Sequence, residues 1–121
     1  QERVFLKGPS SQIKEKLNKS SIFVFPSQKE GFAIALCEAM SMGLPVVGCK
    51  SCSAVNSLII DGKNGFLCED SAESISTAID KLIVDCKLRK RLGLQAKADM
   101  AKFSNESVIS QWERLLSQVQ K

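Results

Sequence analysis

The chain has 121 residues, of which 44% are hydrophobic and 25% charged, with a net charge of +4 and no histidine. That length accommodates one domain with one core. The mild basicity suits an anionic ligand or an anionic membrane surface but excludes a nucleic-acid footprint, because no basic run exceeds residues 87–91 and aromatics make up only 6%.

Gln1-Glu2-Arg3 leads straight into Val4-Phe5-Leu6 without a start methionine, so the chain is expected to be cut from something longer. Val4-Phe5-Leu6, closed by Lys7-Gly8-Pro9, has the pattern of a buried strand. Ser10 or Ser11 is expected to cap a short helix with Ile13 and Leu17 on one face. Ile22-Phe23-Val24-Phe25 is a second strand, and its unbroken apolar character fits a parallel strand covered on both faces. A polar turn, Pro26-Ser27-Gln28-Lys29-Glu30-Gly31, follows. Residues 32–42 are apolar nearly all round, which predicts a buried helix whose only charge is Glu38. Gly43 suits the left-handed position after the last turn, and Pro45 cannot continue the helix. Val46-Val47 is the third strand.

Residues 49–55 are small and polar, hence a loop, with a helical turn over 56–60. Asp61-Gly62-Lys63-Asn64-Gly65 is a strong turn signal, and Gly65-Phe66-Leu67-Cys68 a fourth strand. From Asp70 the pattern is helical. Asp70 and Glu73 make a capping box. Ile75, Ile79, Leu82, Ile83 and Cys86 share one face. Leu88, Leu92, Ala96 and Met100 mark a second helix with a basic solvent side. Ser104 caps a third, striped by Val108, Trp112, Leu115, Leu116 and Val119. All three are read as core packing.

Strands alternating with helices predict an α/β fold. It is a partial, Rossmann-like three-layer domain spanning 1–121, with a short parallel sheet and a helical carboxyl-terminal segment over about 70–121. No apolar run approaches the roughly 20 residues that span a bilayer, and the amino terminus carries no signal-peptide pattern. Of the five cysteines, Cys37, Cys49, Cys52, Cys68 and Cys86, most lie in apolar runs, where a thiol acts as a small hydrophobe. A reducing cytoplasm is expected. Cys49 and Cys52 have CxxC spacing, but without a second pair or any histidine no zinc or redox site is expected.

The chemistry concentrates where the second strand meets the long helix. Such turns, at the carboxyl ends of parallel strands, are where βαβ units bind ligands. Free N–H groups near Gly31, Phe32 and Ala33, with the helix dipole, form a site for a phosphate. Gly31 permits close backbone approach, and Ser27 adds a hydroxyl. Glu30 and Glu38 have seven residues between them, about 12 Å along a helix. That matches the span from a sugar to a ribose across a diphosphate, and each carboxylate accepts hydroxyl donors well. The bland alternative is a solvated Glu30 and a Glu38 paired with a lysine or arginine. Glu38 among Leu36, Cys37, Ala39 and Met40 argues against it, since burying an unpaired carboxylate is costly.

The run Pro26-Ser27-x-x-Glu30-Gly31-Phe32, Glu38-Ala39-Met40, Gly43-x-Pro45-Val46-Val47 resembles the signature of the family 4 (group 1) retaining glycosyltransferases of GT-B fold. Asp61-Gly62-x-Asn64-Gly65-Phe66-Leu67, Ala78-Ile79-x-x-Leu82 and Phe103-Ser104 are similar to later family segments, so the likeness covers nearly the whole chain. The resemblance implies the carboxyl-terminal, donor-binding half of such an enzyme, with its first strands and its amino-terminal acceptor domain lying outside this chain. Glu30, the catalytic assignment, would contact donor-sugar hydroxyls. Gly31, Phe32, Ala33 and Ser27 would meet sugar and diphosphate, and Glu38 the ribose of a nucleoside-diphosphate sugar. No metal or cofactor is implied. The setting would be cytoplasmic, at the inner face of the membrane, in cell-surface glycan synthesis.

The family often has Gly-Gly-x-Pro-Glu where this chain has Ser53-Ala54-Val55-Asn56-Ser57, so its glutamate falls at Ser57 and the role of that loop stays open. The isolated chain is expected to be inactive. One rival is a non-catalytic nucleotide-sugar-binding subunit of a two-chain transferase. Another, a nucleotide-sugar epimerase, is disfavoured by the lack of histidine. A sheet edge left open by absent strands would invite pairing with a second copy.

Overall fold

The computed structural model describes residues 3–120; Gln1 and Glu2, where the expectation of a cut chain begins, lie outside the described residues. Three parallel strands, β1 (Phe23–Phe25), β2 (Val46–Cys49) and β3 (Gly65–Cys68), lie in the order β1-β2-β3. Val46 pairs with Phe23 on one side and Gly65 on the other. Every residue of β2 is buried. Neighbouring residues on a strand face opposite ways, so Val46 enters one core cluster and Val47 the other.

On the Val46 side pack α2 (Ile34–Ser41) and the short α3 (Ser53–Asn56), through Leu36, Ala39, Met40 and Val55. On the Val47 side packs α4 (Ala72–Val84), through Ala78 and Leu82. Helix α5 (Cys86–Asp99) serves both clusters, Leu92 on one side and Ala96 on the other. These are the three layers expected of the α/β reading. Each fully buried Leu side chain stabilises the fold by about 1.5–3 kcal/mol. The two ion pairs among the described residues, Lys19–Glu15 and Lys50–Glu69, are exposed, so solvent screens them and they add little to stability.

Helices α2 and α5 meet backbone to backbone. Gly43 ends α2 in the left-handed conformation (φ 78°), and a Cβ on Gly93 would lie 2.1 Å from the Gly43 carbonyl oxygen. Only glycine fits there. Arg89 of α5 donates to the carbonyls of Leu82 and Ile83, satisfying the end of α4.

Several expectations are corrected. Val4, Phe5 and Leu6 form no strand and are exposed, Leu6 at 97%. None of the three strands is laddered to them among the described residues, and no core residue covers this apolar run. Helix α1 (Ile13–Asn18) is entered from Gln12, not capped by Ser10 or Ser11, and only Leu17 is buried. Helix α2 begins at Ile34 rather than 32. The helical turn placed at 56–60 lies earlier, as α3. The cap of α4 is Ser71, whose hydroxyl accepts from the Ser74 amide, rather than the Asp70–Glu73 box. Helix α4 stops at Val84 because Asp85 caps α5 instead, which leaves Ile83 and Cys86 exposed. Ser104 does cap the last helix, α6 (Asn105–Val119), but α6 buries no residue. Its apolar stripe faces solvent rather than a core.

Candidate functional site

The loop after β1 and the loop after β2 emerge side by side at the carboxyl ends of two paired parallel strands. Between them lies a hollow of about 520 Å³ lined by Gln28, Lys29, Glu30, Gly31, Ser51 and Ser53. The Ser27 hydroxyl donates to Oε1 of Glu30 at 3.0 Å, which orients this carboxylate and leaves its other oxygen without a hydrogen bond among the described residues. Gly31 has no positive φ, and a Cβ there would meet no protein atom within 4 Å. The fold therefore does not itself require glycine at this position.

The next three residues turn the chain into α2. Ala33 enters the helix without a side-chain cap and is buried at 1% exposure. The Cys37 amide bonds to the Ala33 carbonyl and the Ile34 amide to the Phe32 carbonyl. The N–H groups of Gly31, Phe32 and Ala33, and in the first turn those of Ala35 and Leu36, have no acceptor among the described residues. They sit at the positive end of the helix dipole, where an anion is stabilised.

On the far side of this turn is a second concavity, a groove of about 560 Å³. Glu38 lines it together with Phe32, Cys37, Ser41, Lys14 of α1 and Phe103. The expected burial of Glu38 is corrected here. It lies on the exposed face of α2, because Leu36, Ala39 and Met40 take the buried face. It makes no ion pair among the described residues, so the lysine- or arginine-paired alternative finds no support. Burial pushes the Cys37 thiol up; the neighbouring Glu38 carboxylate adds to this, and the Lys102 ammonium opposes it.

Glu30 and Glu38 thus open into different concavities, with residues 31–33 as the partition between them. Ser51, Ser53, Lys14 and Phe103 were not foreseen as part of this region. The two serines were legible as a loop after a strand, and Phe103 through its recurrence beside Ser104. Among the described residues no group of three His, Cys, Asp or Glu side chains is arranged for a metal ion. Among the described residues no helix is long and apolar enough to cross a membrane.

A sequence profile for glycosyl transferases group 1 matches residues 1–99. A poly(glycerol-phosphate) alpha-glucosyltransferase of Bacillus subtilis is 32% identical over 120 residues, covering 98% of this chain and 18% of that protein. The crystal structure of the C-terminal domain of a glycosyl transferase group 1 family protein, LpcC, from Francisella tularensis superposes with a TM-score of 0.71. It is 30% identical, over 82% of this chain and 51% of that one. A Staphylococcus aureus TarM variant, solved with fondaparinux, alpha-GlcNAc-glycerol and UDP, superposes with a TM-score of 0.81 at 29% identity. That match covers 92% of this chain and 23% of TarM. The chain spans between 12% and 30% of the length of the curated relatives it matches.

Proposed function

The chain belongs to the group 1 glycosyl transferases, and on that premise we propose that it is the nucleotide-sugar-binding domain of a retaining glycosyltransferase. The observation that carries this reading is the row of acceptor-less N–H groups at residues 31–33 and 35–36, flanked by one carboxylate-bearing concavity on each side. A nucleoside-diphosphate sugar has the matching order of parts. The diphosphate lies on the N–H groups, the sugar in the Glu30 hollow and the nucleoside in the groove.

Each residue then has a distinct task. Glu30, held by Ser27, accepts from sugar hydroxyls. Gly31 lets the backbone approach the ligand closely. The N–H groups stabilise the charge that grows on the diphosphate as the bond to the sugar breaks. Glu38 accepts from the two ribose hydroxyls, and the apolar wall of Ile13 and Leu17 adjoins the base. The UDP bound to the TarM relative makes a uridine nucleotide the first choice of donor. The Bacillus subtilis relative's name makes a poly(glycerol-phosphate)-type polymer the first choice of acceptor. The reaction would run on the cytoplasmic side, at the membrane's inner face, with the acceptor held by a further domain. No metal or cofactor enters this scheme.

The test is a titration of the ¹⁵N-labelled chain with UDP. The reading requires the amides of residues 31–36 to shift together with those around Glu38. Shifts confined to the basic surface of α5 would overturn it. The chain alone is expected to release no nucleotide from UDP-sugars, and measured turnover would refute that. The outer edge of β1 has no ladder partner among the described residues, and a second copy pairing there would appear as a dimer in light scattering.

A further inference from the structure

Residues 28–33 donate no backbone N–H to an acceptor among the described residues. The Phe32 and Ala33 carbonyls accept from the Ile34 and Cys37 amides and Ala33 is buried, and two side-chain ties add to these. One is the Ser27–Glu30 hydrogen bond at 3.0 Å. The other lies at the opposite end of the turn, where Phe32 meets the edge of Phe103 with ring centroids 5.8 Å apart and planes at 77°. Phe103 closes a 3-10 turn (Met100–Phe103) that is itself firmly held. Met100 is buried in the cluster that also contains Leu36, Ala39 and Met40. Asp99, just before the turn, accepts from the fully buried Asn64 at 2.9 Å and from Gln95 at 2.8 Å. The Lys102 ammonium lies over the Phe103 ring, 5.1 Å from its centroid.

We infer that Phe103 is a positioning residue of the donor site: it pins Phe32 and so presents the free N–H groups of residues 31–33 to the ligand. This rests on the reading of residues 31–38 as the nucleoside-diphosphate site. Phe32 remains 53% exposed and Phe103 41%. The pair therefore adds little to the core, and its packing is suited to orienting the turn.

The experiment is the UDP titration repeated on the full 121-residue chain with Phe103→Ala, Phe103→Tyr and Glu38→Ala. Loss of an aromatic edge contact is expected to weaken UDP about three- to tenfold in Phe103→Ala, with displaced Gly31 and Ala33 amides before any ligand is added and an unchanged unfolding midpoint. Phe103→Tyr keeps the ring and restores wild-type affinity. Equal affinity in Phe103→Ala and wild type overturns the inference. So does equal weakening in Phe103→Ala and Phe103→Tyr with a lowered midpoint, which would mark general destabilisation. A wild-type chain whose amides do not respond to UDP, or whose UDP affinity is unchanged in Glu38→Ala, instead overturns the underlying site reading, and the inference falls with it.

Discussion

Helix α2 looks apolar on all sides in sequence, whereas helix α6 carries the cleaner amphipathic stripe. In the fold, α2 buries Leu36, Ala39 and Met40 and turns Glu38, Ile34 and Ser41 to solvent, while α6 buries nothing. The difference is one of partners. Helix α2 follows a strand and packs on the sheet that the strand belongs to, so half of its surface is covered at once. Helix α6 leaves the 3-10 turn after α5 with the sheet already covered on both faces. An apolar stripe therefore identifies the side of a helix that can be buried; whether it is buried depends on what lies opposite.

The largest expected effect tests the buried side of α2. Leu36→Ala should lower unfolding free energy by about 2–5 kcal/mol, measured by urea denaturation; a loss below about 1 kcal/mol would mean the α2–sheet interface is not a close-packed core. On the exposed side of the same helix the effect should switch from stability to binding. Glu38→Ala should leave the urea midpoint unchanged and cost about 1.5–3 kcal/mol in UDP affinity by calorimetry.

Buried β2 supplies a pH-dependent contrast with the exposed helices. Burial, a hydrogen bond with the Asp70 carboxylate and that carboxylate's charge push the Cys49 thiol up to about 11. The unfolded chain ionises this thiol near about 8.5, so it gives up the proton first. The stability tied to the neutral thiol is complete below about pH 8.5 and is lost as pH rises through about 11. Urea midpoints from pH 8 to 11 should fall, and fall less steeply in Cys49→Ala. Gly31→Ala should move two readouts in opposite directions. Its φ is not positive and its surroundings are open, so stability should hold or rise by about 0.4–1 kcal/mol, while UDP affinity falls. The smallest change belongs to α6. Leu115, half exposed, should cost less than about 0.5 kcal/mol on truncation to alanine; a loss of 2 kcal/mol would show that the stripe has a covered face in solution.

Much of the fold was legible because its signals are local. Ile22 to Phe25 and Val46-Val47 announced strands, Gly43 and Pro45 ended α2, and the Asp61–Gly65 turn stood where it was read. Caps were less legible. Ser71 and Asp70 are adjacent and both competent, and the choice fell to Ser71 because its hydroxyl reaches the Ser74 amide while the Ser74 hydroxyl accepts from Glu69. At the candidate site, the residue types on the turn were visible in sequence. The lining contributed by Ser51, Ser53 and Phe103 was not, because no local pattern reports which loops become neighbours.

The sequence by itself determined the α/β alternation, the family, the turn bearing Glu30 and Gly31 and the helix bearing Glu38, because periodicity, glycine conformation and short motifs act over a few residues. Only the tertiary structure decided that Glu38 is exposed, that the two carboxylates serve separate concavities and that Phe103 braces Phe32. Each of these depends on which surfaces the sheet brings together. That is settled by close packing among side chains distant in sequence, and a local pattern carries no record of it.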